Sequence, residues 1–353
     1  MTKIFRPVLL ASIIGLFFAG HSSGQSDNLY PIRSNGKTGF ADNTGKVVIA
    51  AQFDHVKSDS EFGYFVEGFG SVQIGDKWGY VDRTGAMVIK PQFDAVSSFR
   101  EGLALVTVAG KRSFIDKSGK DLFSVSIDSP AWFNDGLLTI KIGDKFGYLD
   151  KTGKIAIKAE FDSAEDFSEG LAAVETDDGF GFIDKTGRFV IPPKFWSAER
   201  FSQGLAVVGF VEVDGEKAIN KWGYIDRAGT VVIKQRFDAA FAFSEGLAKV
   251  RIGNKIGFIN KGGRLVIPLK FDGRAFSLNP LLVHGSGFRD GLAAIESNGK
   301  LGYIDKTGKI VIPPRYGWAE DFVGGVAMVI LISPFSAFQI NPSFPRELFL
   351  TCR

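Results

Sequence analysis

The chain has 353 residues, of which 45% are apolar and 23% charged, a composition that excludes a disordered segment and fits a folded protein with a buried core. The formal net charge is only +3, so no large basic charge is available to attract nucleic acid or an anionic membrane. The single cysteine, Cys352, excludes an intramolecular disulfide.

Residues 1–24 have the organisation of a secretory signal peptide. Lys3 and Arg6 precede an apolar run over residues 7–19, and small or polar residues then lead to a cleavage site before Gln25. An uncleaved membrane anchor is the alternative, but the run is shorter than the roughly 20 apolar residues that a membrane-spanning helix needs. We therefore predict an exported protein, periplasmic, on the outer surface or secreted, with no stable membrane insertion after cleavage.

From residue 25 to residue 331, one unit recurs about eight times, most often with a period of 34 residues. The glycine of a Gly-aromatic-x-Asp motif marks one position of the unit, and the glycine of a Phe-x-Glu-Gly motif marks another. The first set is Gly39, Gly79, Gly147, Gly181, Gly223, Gly257 and Gly302, and the second is Gly68, Gly102, Gly136, Gly170, Gly204, Gly246, Gly291 and Gly325. Insertions occur after Asp54, between Val208 and Lys221, and between Asp272 and Gly287.

Each unit predicts three antiparallel strands, as the second unit illustrates. Strand one, residues 78–82, leads into an Asp-Arg-Thr-Gly turn, in which Asp accepts backbone hydrogen bonds and Gly adopts a positive φ. Strand two, residues 86–89, consists of successive apolar residues and is predicted to be covered on both faces. An irregular connection with Phe93 and Phe99 leads to strand three, residues 103–106, and a short hairpin then begins the next unit. The predicted fold class is all-β.

A single unit is too small to bury these apolar residues alone, so neighbouring units must supply the other wall of the core. We predict a tandem array of about eight three-stranded antiparallel units with an elongated or superhelical shape. The alternative is a closed propeller-like ring, although 34 residues and three strands are short for a four-stranded propeller blade. Residues 332–353 lack the repeat and are interpreted as a divergent tail, either a cap or a truncated repeat.

Two units contain the sequence Lys-Trp-Gly-Tyr-x-Asp, which begins at Lys77 and again at Lys221. Each is followed by a Phe-Asp pair and by a Phe-Arg/Ser-Glu-Gly-Leu-Ala segment. In these residues the chain, from about residue 30 to about residue 330, resembles the bacterial WG-containing repeat, also called the KWG repeat. The resemblance implies a β-repeat scaffold, often exported, with no established reaction, cofactor or catalytic residue.

The residues that could carry chemistry are interpreted as structural. An aspartate recurs at the first position of the turn after strand one, and each turn supplies only one carboxylate, too few for a calcium loop. His55 and His284 are isolated from each other and from Cys352, so neither a zinc site nor a Cys–His nucleophile is supported. We predict no catalytic residue, no metal and no cofactor.

Three tryptophans lie outside the repeat pattern, in irregular connections, and are the candidate ligand-binding residues: Trp132, Trp196 and Trp318. A loop tryptophan can stack on a sugar or anchor a protein partner, although filling gaps where the repeat varies is the alternative. We predict a monomeric, non-enzymatic scaffold that binds a protein or glycan of the cell envelope or exterior through loops between repeats. The alternatives are a glycan-acting enzyme with a site between repeats and a purely structural envelope protein.

Overall fold

The computed structural model describes residues 29–42, 44–58, 64–126, 131–214, 217–273, 287–331 and 347–351. These segments form strands, turns and bends without any helix, and so without a helix that could cross a membrane. The predicted signal peptide, His284 and Cys352 lie outside the described residues. The predicted all-β class is confirmed.

The strands of the described residues form eight antiparallel sheets that follow one another along the chain. Sheet 1 consists of β1 (Tyr30–Ser34), β2 (Lys37–Ala41) and β3 (Val47–Phe53); sheet 2 of β4 (His55–Lys57), β5 (Phe65–Val66), β6 (Phe69–Ile74), β7 (Lys77–Val81) and β8 (Met87–Phe93); sheet 3 of β9 (Ala95–Val96), β10 (Leu103–Val108), β11 (Lys111–Asp116) and β12 (Asp121–Val125); and sheet 4 of β13 (Leu137–Ile142), β14 (Lys145–Asp150) and β15 (Ile155–Phe161). Sheet 5 consists of β16 (Ser163–Ala164), β17 (Leu171–Thr176), β18 (Gly179–Asp184) and β19 (Phe189–Phe195); sheet 6 of β20 (Ser197–Ala198), β21 (Leu205–Asp214), β22 (Lys217–Asp226) and β23 (Val231–Phe237); sheet 7 of β24 (Ala239–Ala240), β25 (Leu247–Ile252), β26 (Lys255–Asn260) and β27 (Leu265–Asp272); and sheet 8 of β28 (Leu292–Ser297), β29 (Lys300–Asp305), β30 (Ile310–Ala319), β31 (Val326–Leu331) and β32 (Glu347–Thr351).

Each sheet is built around a hairpin of two long strands, as sheet 5 illustrates. Strands β17 and β18 pair from Leu171 opposite Asp184 at one end to Thr176 opposite Gly179 at the other. The third long strand, β19, pairs with β18, and the two-residue strand β16 pairs with β17. The three long strands are those that the sequence predicts, and strand three of one unit pairs with strand one of the next in the predicted hairpin. The short strand lies in the segment predicted to be irregular.

The glycine of the Gly-aromatic-x-Asp motif is required by a close approach between strands. In sheet 2, the register between β7 and β8 shifts at Gly79, and a Cβ atom there would lie 2.5 Å from the carbonyl oxygen of Ile89. No side chain fits at such a distance without moving the backbone. The equivalent distances are 2.3 to 2.7 Å at Gly39, Gly147, Gly181, Gly223, Gly257 and Gly302.

The core lies between neighbouring sheets, as the stacking argument predicts. One cluster joins Tyr224 and Phe237 of sheet 6 to Val250 and Ile259 of sheet 7. Phe243, which precedes β25, contacts Tyr224 with ring centroids 5.0 Å apart. Phenylalanines at two repeated positions are all buried: Phe93, Phe161, Phe195, Phe237 and Phe271 at one, and Phe99, Phe133, Phe167, Phe201, Phe243, Phe288 and Phe322 at the other.

A hydrogen bond from the Phe-x-Glu-Gly motif also recurs between sheets. Glu101 has a left-handed backbone conformation, with φ of 50°, and its carboxylate accepts a hydrogen bond from the Gly136 N–H of the next sheet at 2.9 Å. Lys151 forms an ion pair with the same carboxylate at 3.0 Å. Equivalent hydrogen bonds join Glu67 to Gly102, Asp135 to Gly170, Glu169 to Gly204, Gln203 to Gly246, Glu245 to Gly291 and Asp290 to Gly325.

The two ends of the array are in contact. The hydroxyl group of Tyr30, in β1, donates a hydrogen bond to the carbonyl oxygen of Gly324, which lies just before β31, at 2.6 Å. The succession of sheets therefore turns back on itself. Of the arrangements that the sequence left open, this contact supports the propeller-like ring rather than the elongated array.

Strand two differs from its prediction in one respect. In β8, Met87 and Val88 are 36% and 43% exposed, and only Ile89 of the apolar run is buried. The same pattern, two exposed residues followed by a buried one, begins β3, β15, β19, β23 and β27. The prediction that both faces of this segment are covered is wrong, because the strand lies at the edge of its sheet and its start is paired on one side only.

Candidate functional site

The aspartate of the turn after strand one is a structural residue. Beyond β7, the Asp82 carboxylate accepts hydrogen bonds from the Thr84 N–H at 2.8 Å, the Thr84 hydroxyl at 2.6 Å and the Ala86 N–H at 3.0 Å. The bond from the Thr84 hydroxyl is the main cause that lowers the pKa of Asp82. The carboxylate is thus engaged by its own turn, which confirms the structural interpretation of this series.

The lysine of the Lys-Trp-Gly motif is explained by an ion pair. Lys77 pairs with Asp94, and the second carboxylate oxygen of Asp94 accepts a hydrogen bond from the Ala109 N–H at 2.6 Å. The same pairing, always over 17 residues, joins Lys37 to Asp54, Lys145 to Asp162, Lys221 to Asp238 and Lys255 to Asp272. These carboxylates hold the hairpin against the end of strand two. The constant spacing is visible in the sequence, but the pairing was not predicted.

One unit replaces this ion pair with an aromatic patch. Gly179 occupies the lysine position and Trp196 the aspartate position. The indole of Trp196 lies over Gly209 in β21, where a Cβ atom would be 2.3 Å from the indole Nε1. Trp222, the cross-strand partner of Gly209, contacts Trp196 edge to face, with ring centroids 4.9 Å apart. We call Trp196, Trp222 and Gly209 the Trp196 patch.

The Trp196 patch is accessible. Trp196 is 37% exposed, and Trp222 is half-buried beside it. Neither the lysine nor the aspartate of the other units is present to cover the rings, and the missing side chain at Gly209 makes the space that Trp196 fills. Three departures from the repeat therefore occur together and produce one exposed aromatic surface.

A long β-ribbon begins at the Trp196 patch. Strands β21 and β22 remain paired as far as Asp214 opposite Lys217. The pairing of β21 with β20 ends at Gly209, and that of β22 with β23 ends at Trp222, so beyond these residues no described strand flanks the ribbon. Val211, in the ribbon, is 54% exposed. The predicted insertion between Val208 and Lys221 is this ribbon, and it places a second variable surface next to Trp196.

The other two candidate tryptophans lie elsewhere and do not join Trp196. Trp132 is half-buried, the Arg100 guanidinium lies 4.9 Å from its ring centroid, and its Nε1 is buried without a hydrogen-bond partner. Trp318 is half-buried in β30, opposite Ile330 of β31. The three tryptophans thus occupy three separate places, and only Trp196 is part of an exposed aromatic patch.

The sequence pattern does not identify two carboxylates, in neighbouring sheets, as candidate functional groups. Glu165 and Glu199 occupy the same position of successive units, and their N–H groups donate to the carbonyl oxygens of Ala173 and Val207, each at 2.9 Å. Burial, followed by the charge of Glu165, raises the pKa of Glu199 to about 7. Burial also raises the pKa of Glu165, although this side chain remains in contact with solvent. The available signal was a glutamate at the same position of two successive units.

A buried cation occupies the same region of the next sheet. Lys249, in β25, is 3% exposed, and its Nζ lies 5.0 Å from the ring centroid of Phe241. Burial lowers the pKa of Lys249 to about 8, and the charge of Asp321 acts in the opposite direction. Where the structure describes the chain, no group of three or more His, Cys, Asp and Glu side chains converges as metal ligands would.

The sequence profile of the WG containing repeat matches seven segments of the chain, which together cover more than half of it. They are residues 39–78, 78–111, 146–179, 180–209, 222–255, 256–277 and 302–331. The chain belongs to this family. Most of the matched segments begin in one sheet and end in the next, as 180–209 does from β18 to β21. The Trp196 patch lies across the segments 180–209 and 222–255. No curated protein is detectably similar in sequence.

Solved structures resemble this WG-containing repeat protein in fold alone. A eukaryotic initiation factor aligns with a TM-score of 0.54 and 11% identity, over 86% of this chain and 89% of the other. Saccharomyces cerevisiae Sqt1 aligns with a TM-score of 0.38 and 12% identity, over 80% of this chain and 91% of the other. The first likeness covers nearly the whole chain and is consistent with a single propeller-like array of sheets.

Proposed function

We propose that this protein is an exported, non-enzymatic repeat scaffold that binds a protein or glycan ligand at the Trp196 patch. The observation that carries the proposal is the joint replacement of the Lys–Asp ion pair by Gly179 and Trp196, with Gly209 beneath the indole. Five other units have the Lys–Asp ion pair at these two positions. Exposed tryptophans stack on sugar rings and anchor protein interfaces, and both uses need an accessible, rigid aromatic face.

The Trp196 patch has the rigidity that binding requires. The indole is held by Gly209 below it and by Trp222 at its edge, so little conformational freedom is lost when a ligand covers it. The adjoining ribbon supplies backbone and side-chain groups at the edge of the patch, where a ligand can be oriented. The predicted signal peptide favours a ligand of the cell envelope or exterior, and the near-neutral charge gives no support to a nucleic-acid ligand.

The test is a binding screen of the chain starting at Gln25 against envelope glycans and envelope proteins, repeated with Trp196→Ala. Loss of a central aromatic anchor weakens binding by about 2 kcal/mol, roughly thirtyfold in Kd. Val108→Ala is the matched control, because Val108 is 47% exposed in sheet 3, away from the Trp196 patch, and its loss should leave binding unchanged. If the ligand binds equally well to the Trp196 variant, the patch is not the site.

A glycan-acting enzyme is the second candidate, and Glu165 with Glu199 is the observation that favours it. Two carboxylates in neighbouring sheets, one with its pKa raised to about 7, resemble the acid and base pair of a glycosidase. The test is hydrolysis of an envelope glycan by the purified protein. If Glu199→Gln abolishes hydrolysis and Trp196→Ala leaves it unaffected, the enzyme proposal replaces the binding proposal.

A further inference from the structure

The largest group of exposed apolar side chains is not in the Trp196 patch but at the start of strand two in every sheet. These residues are 36% to 56% exposed: Val47, Val48, Met87, Val88, Leu122, Ile155, Phe189, Val190, Val231, Val232, Leu265, Val266, Ile310 and Val311. In the described part of the chain they make up 14 of the 20 large apolar residues that are exposed. The fold does not bury them, so packing does not explain why they are apolar.

Basic side chains flank these apolar residues. In the same short segments, nine exposed cations adjoin the apolar pairs: Lys46, Lys90, Lys120, Lys154, Lys158, Arg188, Lys234, Arg264 and Lys309. Asp121 is the single acidic residue within the segments. We call these apolar and basic residues together the turn-end strip, because each segment follows directly after the turn between strands one and two.

The turn-end strip lies at one end of the sheets. Each segment occupies the same position of its sheet, directly after the turn between strands one and two. Because Tyr30 contacts Gly324 and so joins the first sheet to the last, the segments follow one another around a ring, on the side where these turns lie. The acidic groups near this end form local hydrogen bonds or ion pairs and keep their charge. The turn aspartates accept hydrogen bonds within their turns, as Asp82 does, and Glu101 is paired with Lys151.

We propose that the turn-end strip docks on an anionic lipid surface, lying on it without crossing it. Apolar side chains flanked by lysine and arginine are the composition of interfacial membrane-binding surfaces, in which the apolar groups enter the headgroup boundary and the cations contact anionic headgroups. The same short pattern recurs in every sheet. A laterally uniform surface offers the same chemistry at every point, whereas a folded protein partner does not. The near-zero net charge of the chain gives no long-range attraction, so docking depends on the apolar side chains of the strip and on the cations beside them.

This proposal does not depend on the proposed ligand site. Trp196 follows the end of β19, while the turn-end strip includes the start of the same strand, so the two surfaces lie at opposite ends of a seven-residue strand. A protein resting on lipid through the turn-end strip would present the Trp196 patch and its ribbon away from the membrane.

The test is flotation of the chain from Gln25 with vesicles at low ionic strength. Vesicles of equal parts phosphatidylcholine and phosphatidylglycerol should carry the protein upward, and vesicles of phosphatidylcholine alone should carry at least tenfold less. The triple variant Arg188→Glu, Arg264→Glu, Lys309→Glu should lower partitioning at least about a hundredfold, because each basic side chain near an anionic surface contributes about a factor of five. The triple variant Val190→Ser, Val232→Ser, Val266→Ser should also lose its binding to the anionic vesicles.

The matched control is Ile74→Ser, Ile142→Ser, Ile252→Ser, which removes apolar residues that are 40% to 49% exposed at the opposite end of their sheets. This variant should float like the unmodified protein, and circular dichroism should show all variants folded. The proposal is overturned if the unmodified protein fails to float with anionic vesicles. It is also overturned if the isoleucine control variant loses flotation as much as the valine variant does. Sedimentation velocity tests one further outcome. If the unmodified protein is a dimer and the valine variant is a monomer, the turn-end strip binds a second copy of the chain and not lipid.

Discussion

The Glu101 carboxylate accepts a hydrogen bond from the Gly136 N–H in the next sheet, although it needs a left-handed backbone conformation to reach it. Gln203 makes the equivalent bond to Gly246, which shows that the acceptor oxygen matters more than the charge. We therefore expect Glu101→Gln to change the free energy of unfolding by less than about 0.5 kcal/mol, whereas Glu101→Ala should lower it by about 1–2 kcal/mol. Urea unfolding measures both, and equal losses would show that the ion pair with Lys151 is the main contribution.

Gly79 should tolerate no side chain. A Cβ atom at this position would lie 2.5 Å from the carbonyl oxygen of Ile89, so Gly79→Ala must separate β7 from β8 and is expected to cost about 3 kcal/mol or more. Gly262→Ala is the control, since the nearest atom to its Cβ would be 3.5 Å away, an ordinary contact. Thermal unfolding of the two variants should differ clearly, and a Gly79 variant as stable as the control would contradict the close approach.

The stability of the protein should fall as the pH rises from about 4.5 to about 7. The pKa of Glu199 is raised to about 7 in the folded state, so between these values the folded state holds a proton that the unfolded state has released. The full shift corresponds to about 3 kcal/mol, which partial exposure of the side chain reduces to about 1–2 kcal/mol.

Glu199→Gln should remove most of this pH dependence and stabilise the protein at pH 8 relative to the unmodified chain. Urea unfolding at pH 5 and pH 8 measures the effect. Glu160→Gln, at an exposed position in β15, is the control and should leave the pH dependence unchanged. If the Glu199 variant has the same pH dependence as the unmodified chain, other groups cause the pH dependence of stability, and Glu165 is the first of these to examine.

The contact between the ends of the array should be detectable by hydrogen exchange. Tyr30→Phe removes the hydrogen bond to Gly324 and should cost about 1 kcal/mol, with faster exchange in both β1 and the segment before β31. Tyr80→Phe removes one hydroxyl bond as well, to the carbonyl oxygen of Ser97, and should affect only sheets 2 and 3. If Tyr30→Phe changes the hydrogen-exchange rates of β1 alone, the two ends of the array are not coupled.

Most of the fold could be predicted from the sequence because the repeat supplies many copies of each local signal. The turn at Asp82 and the burial of the phenylalanines follow from local rules that every unit obeys. The hairpin between strand three and the next strand one follows from the same local rules, but the two-residue strand that pairs with strand three, such as Ser163–Ala164, has no pattern of its own. The exposure of Met87 and Val88 was not predicted, because an apolar run does not reveal which strand lies at the edge of its sheet.

The candidate site was predicted only in part. Trp196 was identified because it departs from the repeat, but its partners could not be, since Gly209 and Trp222 are brought to it by a cross-strand register that the sequence does not specify. Trp132 and Trp318 depart from the repeat equally, yet they are half-buried in other sheets. Departure from a repeat therefore indicates where a scaffold has changed, and only packing shows which changes reach the surface.

The hydrogen bond between Tyr30 and Gly324 has a consequence for how the protein loses its structure. In an open repeat array, the outermost units have one neighbour each and fray first, so unfolding proceeds inward from the ends. Here a hydrogen bond joins the first and last sheets, so opening the array also requires this bond to break. Unfolding should accordingly be closer to all-or-none than in open arrays of equal length, and a unit that departs from the repeat, such as the one with Trp196, is stabilised by two neighbours wherever it lies.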